Sequence, residues 1–380
     1  MMLRRHRRQS QSQSLPHDVV ELILSRLPVK SLLRFKCVSK QWKSTIESRR
    51  FKEAQLRQSQ QSRGGPDILY VTKNSKNHYE AEWRILLGSS SIFVRMLNFS
   101  SIRNTKVCHG SCDGLICLFT VHTPNMVANP ATRWHRSFPL SRVQQLLSTM
   151  YKNGAWEAPN NQLGFGKDKF TGTYKPVWLC NSSEFGLDKA TATTCEVFDF
   201  STNAWRYVLP SCPYRILDGL KPVYFDGSLF WLTECSKLLS FDLHTETFQV
   251  ICKAPFSHIP EPCQVVMCIL NNTLCLSQRN WPAQVIWSLH NNTTWKEMCT
   301  IDLTKTFSVP EELPYLPLPV ALPLALLEKN NKLLFGPALD QPMVMLDLHA
   351  NNYHNVFSPG GVFGYPVSHF DSLFSVVSPN

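Results

Sequence analysis

The chain has no apolar run approaching the roughly eighteen residues that a membrane-spanning helix requires, so helical membrane insertion is not expected. Its first residues, MMLRRHRRQSQSQS, lack the apolar stretch of a secretory signal, and residues 1–14 read as a disordered basic tail. Arg4, Arg5, Arg7 and Arg8 around His6 also suit a nuclear import signal, so nucleus, cytoplasm or both are the expected locations. No G-x-x-x-x-G-K-[ST] occurs, and Gly164-Phe-Gly166 is too short for a dinucleotide fingerprint, so no cofactor is expected. There is no Cys-x-x-Cys pair, and Cys108, His109 and Cys112 lack the second ligand pair that would make a zinc site, so no metal is expected. Gly110-Ser-Cys-Asp-Gly114 has the spacing of a nucleophile elbow around Cys112. An elbow needs a helix after it, whereas the strand-like LICLF follows; a hairpin turn is expected and no catalytic residue is assigned.

Acidic charge is scarce in one place only. Residues 1–60 carry 14 Lys and Arg against 4 Asp and Glu, while residues 61–380 carry 25 against 24. The larger part is neutral, which argues against a nucleic-acid-binding body, and the basic field belongs to the amino-terminal segment, where it would speed encounter with an acidic partner. The 13 cysteines are an odd number scattered through strand-like runs (Cys117, Cys180, Cys195, Cys235, Cys252, Cys268 and Cys275), as expected of reduced thiols serving as small buried groups.

What is present begins with LPHDVVELILSRLPVKSLLRFKCVSKQWKSTI, Leu15 to Ile46. Asp18 is placed to N-cap a helix to about Arg26, with Val19, Leu22, Ile23, Leu24 and Leu27 at spacings of three and four and Pro28 as the stop. Ser31 opens a second apolar run, and Ser39 is placed to cap a third helix holding Trp42 and Ile46. So small a unit cannot bury enough surface to offset the entropy of ordering it without a disulfide, a metal or a partner, and with Cys37 its only cysteine, a protein partner is the remaining option.

The series Leu15-Pro16, Asp18, Ile23-Leu24, Leu27-Pro28, Lys30-Ser31-Leu32, Arg34-Phe35, Cys37-Val38-Ser39-Lys40 and Trp42 resembles the plant-type F-box over nearly its whole length. The resemblance implies a three-helix F-box over residues 15–58 that docks on the Skp adaptor of a cullin-RING ubiquitin ligase. Its implied contact set is Leu15, Pro16, Leu24, Leu27, Pro28, Leu32, Val38 and Trp42.

From Phe51 the composition turns polar and reads as an extension of the third helix running into a linker over residues 59–66. Residues 67–380 then carry short runs rich in β-branched and aromatic residues between turn residues, the pattern of an all-β domain. One unit, a strand, an Asp-Gly or Asn-Asn turn and a second strand, occurs at Cys108–Phe119, Val223–Leu232, Val266–Leu276 and Leu326–Gly336. A second, an Asp turn returning through an aromatic, occurs at Asp199–Trp205, Asp242–Phe248 and Asp347–Tyr353, with weaker copies at Asn129–Thr132 and Leu289–Trp295. Positions 199, 242, 289 and 347 lie 43, 47 and 58 residues apart, the period of four-stranded β-propeller blades. Five blades are counted directly. Strands within residues 67–100, closed by a last strand at His369–Val377, bring the expectation to about six, with seven as the alternative; Ser141–Gly154 reads as helix or loop.

This body is similar to the F-box-associated, kelch-related region of plant F-box proteins. The likeness rests on Ser111-Cys-Asp-Gly-Leu115 with Cys117-Leu118, Asn129-Pro-Ala-Thr-Arg133, Gly164-Phe-Gly166 with Asp168 and Tyr174-Lys175, Glu196-Val197 with Trp205-Arg206, Asp226-Gly-Ser-Leu-Phe-Trp231, and Phe241-Asp-Leu243 with Glu246 and Phe248. Most of residues 105–251 match; the Gly-Gly doublet of kelch blades is missing, and later repeats carry Asn-Asn instead. The resemblance implies a domain that binds a target protein through loops on one face. The whole chain would then be the non-catalytic receptor subunit of a Skp-cullin-F-box ubiquitin ligase, with cullin and RING subunits reached through Skp and the target unnamed. A scaffold that does not promote degradation is the alternative, and a propeller enzyme a further one. Trp178, Trp205, Trp231, Trp287 and Trp295 are expected in the core; Trp156, Trp281 and residues 309–323 are the candidates for partner contact.

Overall fold

A computed structural model describes residues 15–62, 65–72, 82–87, 90–98, 106–108, 110–154, 159, 162–187, 192–256, 261–291, 293–306, 320–327, 331–336, 342–358 and 364–376. The basic tail, Trp156 and residues 309–319 lie outside them.

Four helices, not three, open the chain: α1 (His17–Ser25), α2 (Val29–Phe35), α3 (Lys40–Glu47) and α4 (Arg49–Ser62). The cap assigned to Asp18 is corrected. Pro16 is the N-cap of α1, its carbonyl accepting from the Val19 and Val20 amides, and Asp18 sits inside the first turn, where it meets the helix dipole only. Likewise α2 starts directly after Pro28, whose carbonyl takes the Ser31 and Leu32 amides, two residues ahead of the expected start. Ser39 caps α3 as expected, its hydroxyl accepting from Trp42 N at 3.1 Å. The expected extension of that helix is instead a separate one, because Ser48 is extended (φ −64°, ψ 142°) and its hydroxyl accepts the Phe51 amide. Helix α4 then runs through Ser62 with Phe51, Gln55, Leu56 and Ser59 buried, so residues 59–62 continue the helix, the last three of them exposed.

The rest is a ring of six four-stranded sheets. From the channel outward, blade 2 is Lys106–Val107, Ile116–Phe119, Asn125–Asn129 and Trp134–Phe138, and blade 3 is Leu163–Lys167, Tyr174–Asn181, Thr193–Asp199 and Ala204–Tyr207. Blade 4 is Val223–Phe225, Ser228–Leu232, Lys237–Asp242 and Phe248–Lys253; blade 5 is Val265–Leu270, Thr273–Asn280, Ala283–His290 and Thr294–Asp302; blade 6 is Leu322–Leu327, Lys332–Gly336, Met343–Asp347 and Asn352–Phe357. Blade 1 closes the ring with both ends of the domain. Its innermost strand, Gly364–His369, pairs antiparallel with Asp67–Thr72, which pairs parallel with Ser90–Asn98, and Glu82–Leu87 is outermost. The closing strand therefore lies five residues earlier than expected, and residues 370–376 form no strand.

Strands buried on both faces feed two neighbours at once, which is why they read as continuous apolar runs. In blade 2, Ile116 and Leu118 pack towards blade 1, while Cys117 and Phe119 pack towards blade 3 around Trp178. Each interblade space holds its own apolar cluster of this kind. Trp178 and Trp231 are buried in such clusters, and Trp205, Trp287 and Trp295 are half-buried beside them. All 13 cysteines are unpaired; among those expected inside, Cys235 is exposed and Cys252 half-buried.

Both turn families form hairpins. Asp113-Gly114, Asp226-Gly227 and Asn271-Asn272 hold two consecutive positive φ values, as two-residue loops of this twist demand. In the second family the carboxylate or amide of Asn129, Asp199, Asp242 and Asp347 accepts backbone amides two or three residues on. The fourth residue on is left-handed in every case: Arg133, Asn203, Glu246 and Asn351. The turn at Leu289–Trp295 is different, a shorter one with Asn291 left-handed. Asp168 builds the same turn between the first two strands of blade 3, with Gly172 at the left-handed position, a copy the repeat reading passed over. Helix α5 (Arg142–Lys152) follows blade 2 and starts with a complete capping box of Ser141 and Gln144.

Candidate protein-docking site

In an antiparallel four-stranded meander the first and third connections lie on one rim, and the second, with the passage to the next blade, on the other. Both turn families therefore share one rim here. The helices are fastened to that rim at blades 2 and 3. Leu56 of α4 enters the cluster between these blades, alongside Cys112 and Leu115. Arg49 Nη1 donates to Thr171 O at 3.2 Å in the Asp168 turn. After the closing strand the chain passes beneath the helices. Asn129 Nδ2 donates to Ser372 O at 3.0 Å and Phe374 O at 2.8 Å, and a Cβ on left-handed Gly114 would stand 2.5 Å from Phe370 O. This holds Leu373 in the helices' own core with Leu24, Val29, Leu32, Ile46 and Phe51.

The hydrophobic excess of the helices is thus met in part by α4 and the propeller, and not by a foreign partner alone as the segment's size suggested. A remainder stays in solvent: Leu15 is 60% exposed, Val19 39%, Leu22 63%, Ile23 49% and Val38 60%. Lys30, Arg34, Lys40 and Lys43 on α2 and α3 are exposed as well. Of the contact set drawn from sequence, Leu15, Pro16, Pro28 and Val38 are exposed, and Leu27 and Trp42 are half-buried, the Trp42 ring standing edge-on to Phe35 at 5.7 Å. Leu24 and Leu32 are corrected to core residues, 2% and 0% exposed. Val19, Leu22 and Ile23 are exposed as well and stand outside that set. Their i, i+3, i+4 spacing marks one face of α1, but Val20, Leu24 and Leu27 mark another, and a helix apolar on both faces does not announce which is covered.

The polar groups of the turn rim join blades. Lys167 Nζ lies 2.6 Å from Asp113 Oδ2, and Lys175 Nζ lies 2.7 Å from Glu246 Oε1. Asp168, 2% exposed, meets His244 Nδ1 at 3.0 Å. Burial would raise the Asp168 carboxyl, but bonds from the Thr171 hydroxyl, His244 and the Phe170 and Thr171 amides outweigh it and hold the group at about 2. A depressed carboxyl stabilises the fold above its ordinary value near 4, and that contribution fades as pH falls towards 2. Asp168→Asn should therefore lower the melting temperature at pH 7, and the gap from wild type should narrow between about pH 4 and pH 2, read by calorimetry. Cys112, the centre of the elbow-like spacing, is 2% exposed beside the Asp113-Gly114 hairpin, and burial pushes its thiol well up, with Asp113 adding to the effect. That is the hairpin expected from its sequence. Glu196 is a buried carboxyl raised by desolvation, partly offset by the Val143 and Arg142 amides, and so fastens the start of α5 to blade 3.

A family profile described as "F-box domain" matches residues 12–54, and one described as "F-box associated beta propeller domain" matches residues 72–337. The chain belongs to the F-box proteins with an associated β-propeller. Among the relatives of this F-box protein, "F-box/LRR-repeat/kelch-repeat protein At1g09650" of Arabidopsis thaliana is 47% identical over 382 residues, covering 96% of this chain and 97% of the relative. "F-box protein At1g11270" of the same plant is 55% identical over 295 residues, 77% of this chain and 92% of the other, and "F-box protein At2g34280" is 44% identical over 397 residues, 96% and 99%. These are plant proteins, so the F-box protein is of the plant type. Membership supports an adaptor's role in recognition.

Proposed function

We propose that this F-box protein is the target-recognition subunit of a Skp-cullin-F-box ubiquitin ligase. The exposed ridge of Leu15, Val19, Leu22, Ile23 and Val38 on a basic helical module carries the reading, since five large apolar side chains on one small module are costly unless another protein covers them. The surrounding lysines and arginine suit an acidic adaptor and would raise its rate of encounter. The helices grip the turn rim, so the opposite rim of the ring is left for the target. Holding a target there raises the effective concentration of its lysines near a charged ubiquitin-carrying enzyme, and no reactive group on this chain is needed.

The reading is tested by capture from cells with the proteasome blocked, comparing the full chain with the same chain carrying Leu22→Asp and Ile23→Asp. Ubiquitin conjugates co-captured with the wild type should fall several-fold with the variant, while the unmodified target stays bound. Equal conjugation with both chains, or a target whose abundance ignores the variant, would turn the protein into a scaffold.

A further inference from the structure

A four-stranded blade ends on an edge that can pair with a further strand, and blades 4, 5 and 6 blunt that edge in the same way. Ile251, Met298 and Val356 are extra residues of their outer strands, each bulged out of register with the neighbouring strand. The outer strand of blade 3, Ala204–Tyr207, keeps its register from Asp199↔Ala204 to Glu196↔Tyr207, as that of blade 2 does along its own neighbour. No described strand lies beyond Ala204–Tyr207 in its sheet. Val208 N donates inward to Cys195 O at 3.0 Å. By the alternation of an antiparallel ladder Ala204 and Arg206 also bond inward, and the main-chain N–H and C=O groups of Trp205 and Tyr207 point outward.

A groove of about 730 Å³ runs along this edge, with Thr245–Phe248 of blade 4 as its other wall. Arg206, Tyr207 and Val208 all line it. Consecutive strand residues send their side chains to opposite faces, so three in succession share one groove only where it follows the main chain itself. The strand leaves the turn rim at Ala204 and rises to the opposite rim, where Leu209 and Pro210 continue the wall. The groove therefore opens onto the rim left for the target.

The chemistry of the wall narrows the choice of occupant. Arg206 Nη2 is paired with Glu246 Oε1, so the groove does not depend on a charged ligand. What stands in solvent is apolar: Leu209 is 81% exposed and Tyr207 53%. An outward-facing main chain beside an apolar groove suits an extended polypeptide, whose own main chain supplies affinity and whose alternate side chains supply specificity. A second copy of this chain fits less well. The two-fold register that uses both outward residues, Trp205 opposite Tyr207, sets Arg206 directly against Arg206 of the second copy, like charges face to face. We propose that an extended segment of the target protein adds to blade 3 as a fifth strand. It bonds to the main chain of Trp205 and Tyr207 and lays β-branched or aromatic side chains in the groove and against Tyr207. The assignment rests on the reading of the propeller as a target receptor, and adds to the opposite rim a side contact for a tail or loop of the same target.

The test is selection of phage-displayed random dodecapeptides on the immobilised full chain, followed by titration of the best peptide in solution. Wild type should enrich peptides with Val, Ile, Thr, Tyr or Phe at alternate positions. Methylating the peptide's main-chain nitrogens one at a time should weaken binding about tenfold at every second position and little between, the worth of one hydrogen bond to an edge that only alternate residues face. Tyr207→Pro removes an outward N–H and no ladder bond, so it should cost about tenfold or more at a melting temperature near that of wild type, whereas Tyr207→Ala, which keeps the N–H, should cost less. Thr247→Trp fills the groove from its other wall and should weaken every selected peptide. Selection of no peptides by wild type, or binding indifferent to where the methyl group sits, overturns the assignment. So does a dimer seen by sedimentation that Tyr207→Pro dissolves, since the edge would then belong to a second copy. If Tyr207→Pro lowers the melting temperature, the methyl series on wild type decides. If conjugation falls with the Leu22→Asp, Ile23→Asp chain while peptides ignore methylation, only the edge assignment falls. If peptides behave as expected but conjugation ignores that chain, the receptor reading falls and the edge stands.

Discussion

Leu22→Asp and Val38→Asp should each cut recovery of a Skp-type adaptor about a hundredfold or more, with melting temperatures within about 2 °C of wild type. Both side chains stand mostly in solvent, 63% and 60% exposed, so the folded monomer loses almost nothing when they become polar. In a complex the same carboxylates would be desolvated without a partner. Losing a buried apolar anchor costs roughly 2–4 kcal/mol, and each 1.4 kcal/mol is a factor of ten in affinity. Leu24→Asp and Leu32→Asp are the contrasting pair. These side chains are 2% and 0% exposed, and a charge there should unfold the module and abolish binding for a different reason. Thermal melts separate the two outcomes. Leu27 and Trp42 serve the test less well, because each is half-buried in the helices' own cluster, so that their loss mixes stability with contact. Retained adaptor binding in both Leu22→Asp and Val38→Asp would remove the docking assignment.

Local pattern carried much of this architecture. The punctuation by Pro28 and Ser39, the two-residue turns at Asp113-Gly114, Asp226-Gly227 and Asn271-Asn272, and the Asp turns at Asp199, Asp242 and Asp347 each depend on a few neighbouring residues, and each appears where the sequence places it; Asn330 of the turn in Leu326–Gly336 lies outside the described residues. What was hidden depends on residues far apart. Which face of α1 is covered is decided by Phe51 of α4 and by Leu373, more than 340 residues from Leu24. No local period reports that contact. The closing strand was displaced for another reason. Pro366 lies within GYPVSH, and by local pattern a proline argues against a strand. As the innermost strand, Gly364–His369 has a ladder on one side only, and an edge strand tolerates a proline that a central strand would not. The Asp168 turn stands outside the regular spacing because blade 3 uses it between its first and second strands, whereas Asp199, Asp242 and Asp347 lie between third and fourth.

Phe51→Ala should loosen the helices from the propeller without opening the ring. The side chain is fully buried, and truncating a buried phenylalanine costs about 3–5 kcal/mol, a large share of the roughly 5–15 kcal/mol that a domain has in total. The cost falls on one small cluster, while every interblade cluster is untouched. Limited proteolysis should therefore release a helical fragment while the propeller remains resistant. Leu373→Ala removes a member of the same cluster from the propeller's side and should give the same fragment at a smaller cost of about 2–4 kcal/mol. Because the two share neighbours, the double variant should lose less than the sum of the singles, whereas additive losses would mean that the helices and the tail are held independently. The coupling bears on function through geometry. A receptor that swings on a flexible linker spreads its target over many positions, but Leu56, Asn129 and Leu373 fasten the helices to one rim, so that under the proposed function an adaptor on the helices and a target on the opposite rim would keep a set separation. In Phe51→Ala the adaptor should still be captured by any helices that stay folded, yet conjugation of the target should drop with the loss of that separation. Full conjugation by a chain whose helices are released by protease would show that the rigid join has no part in the activity.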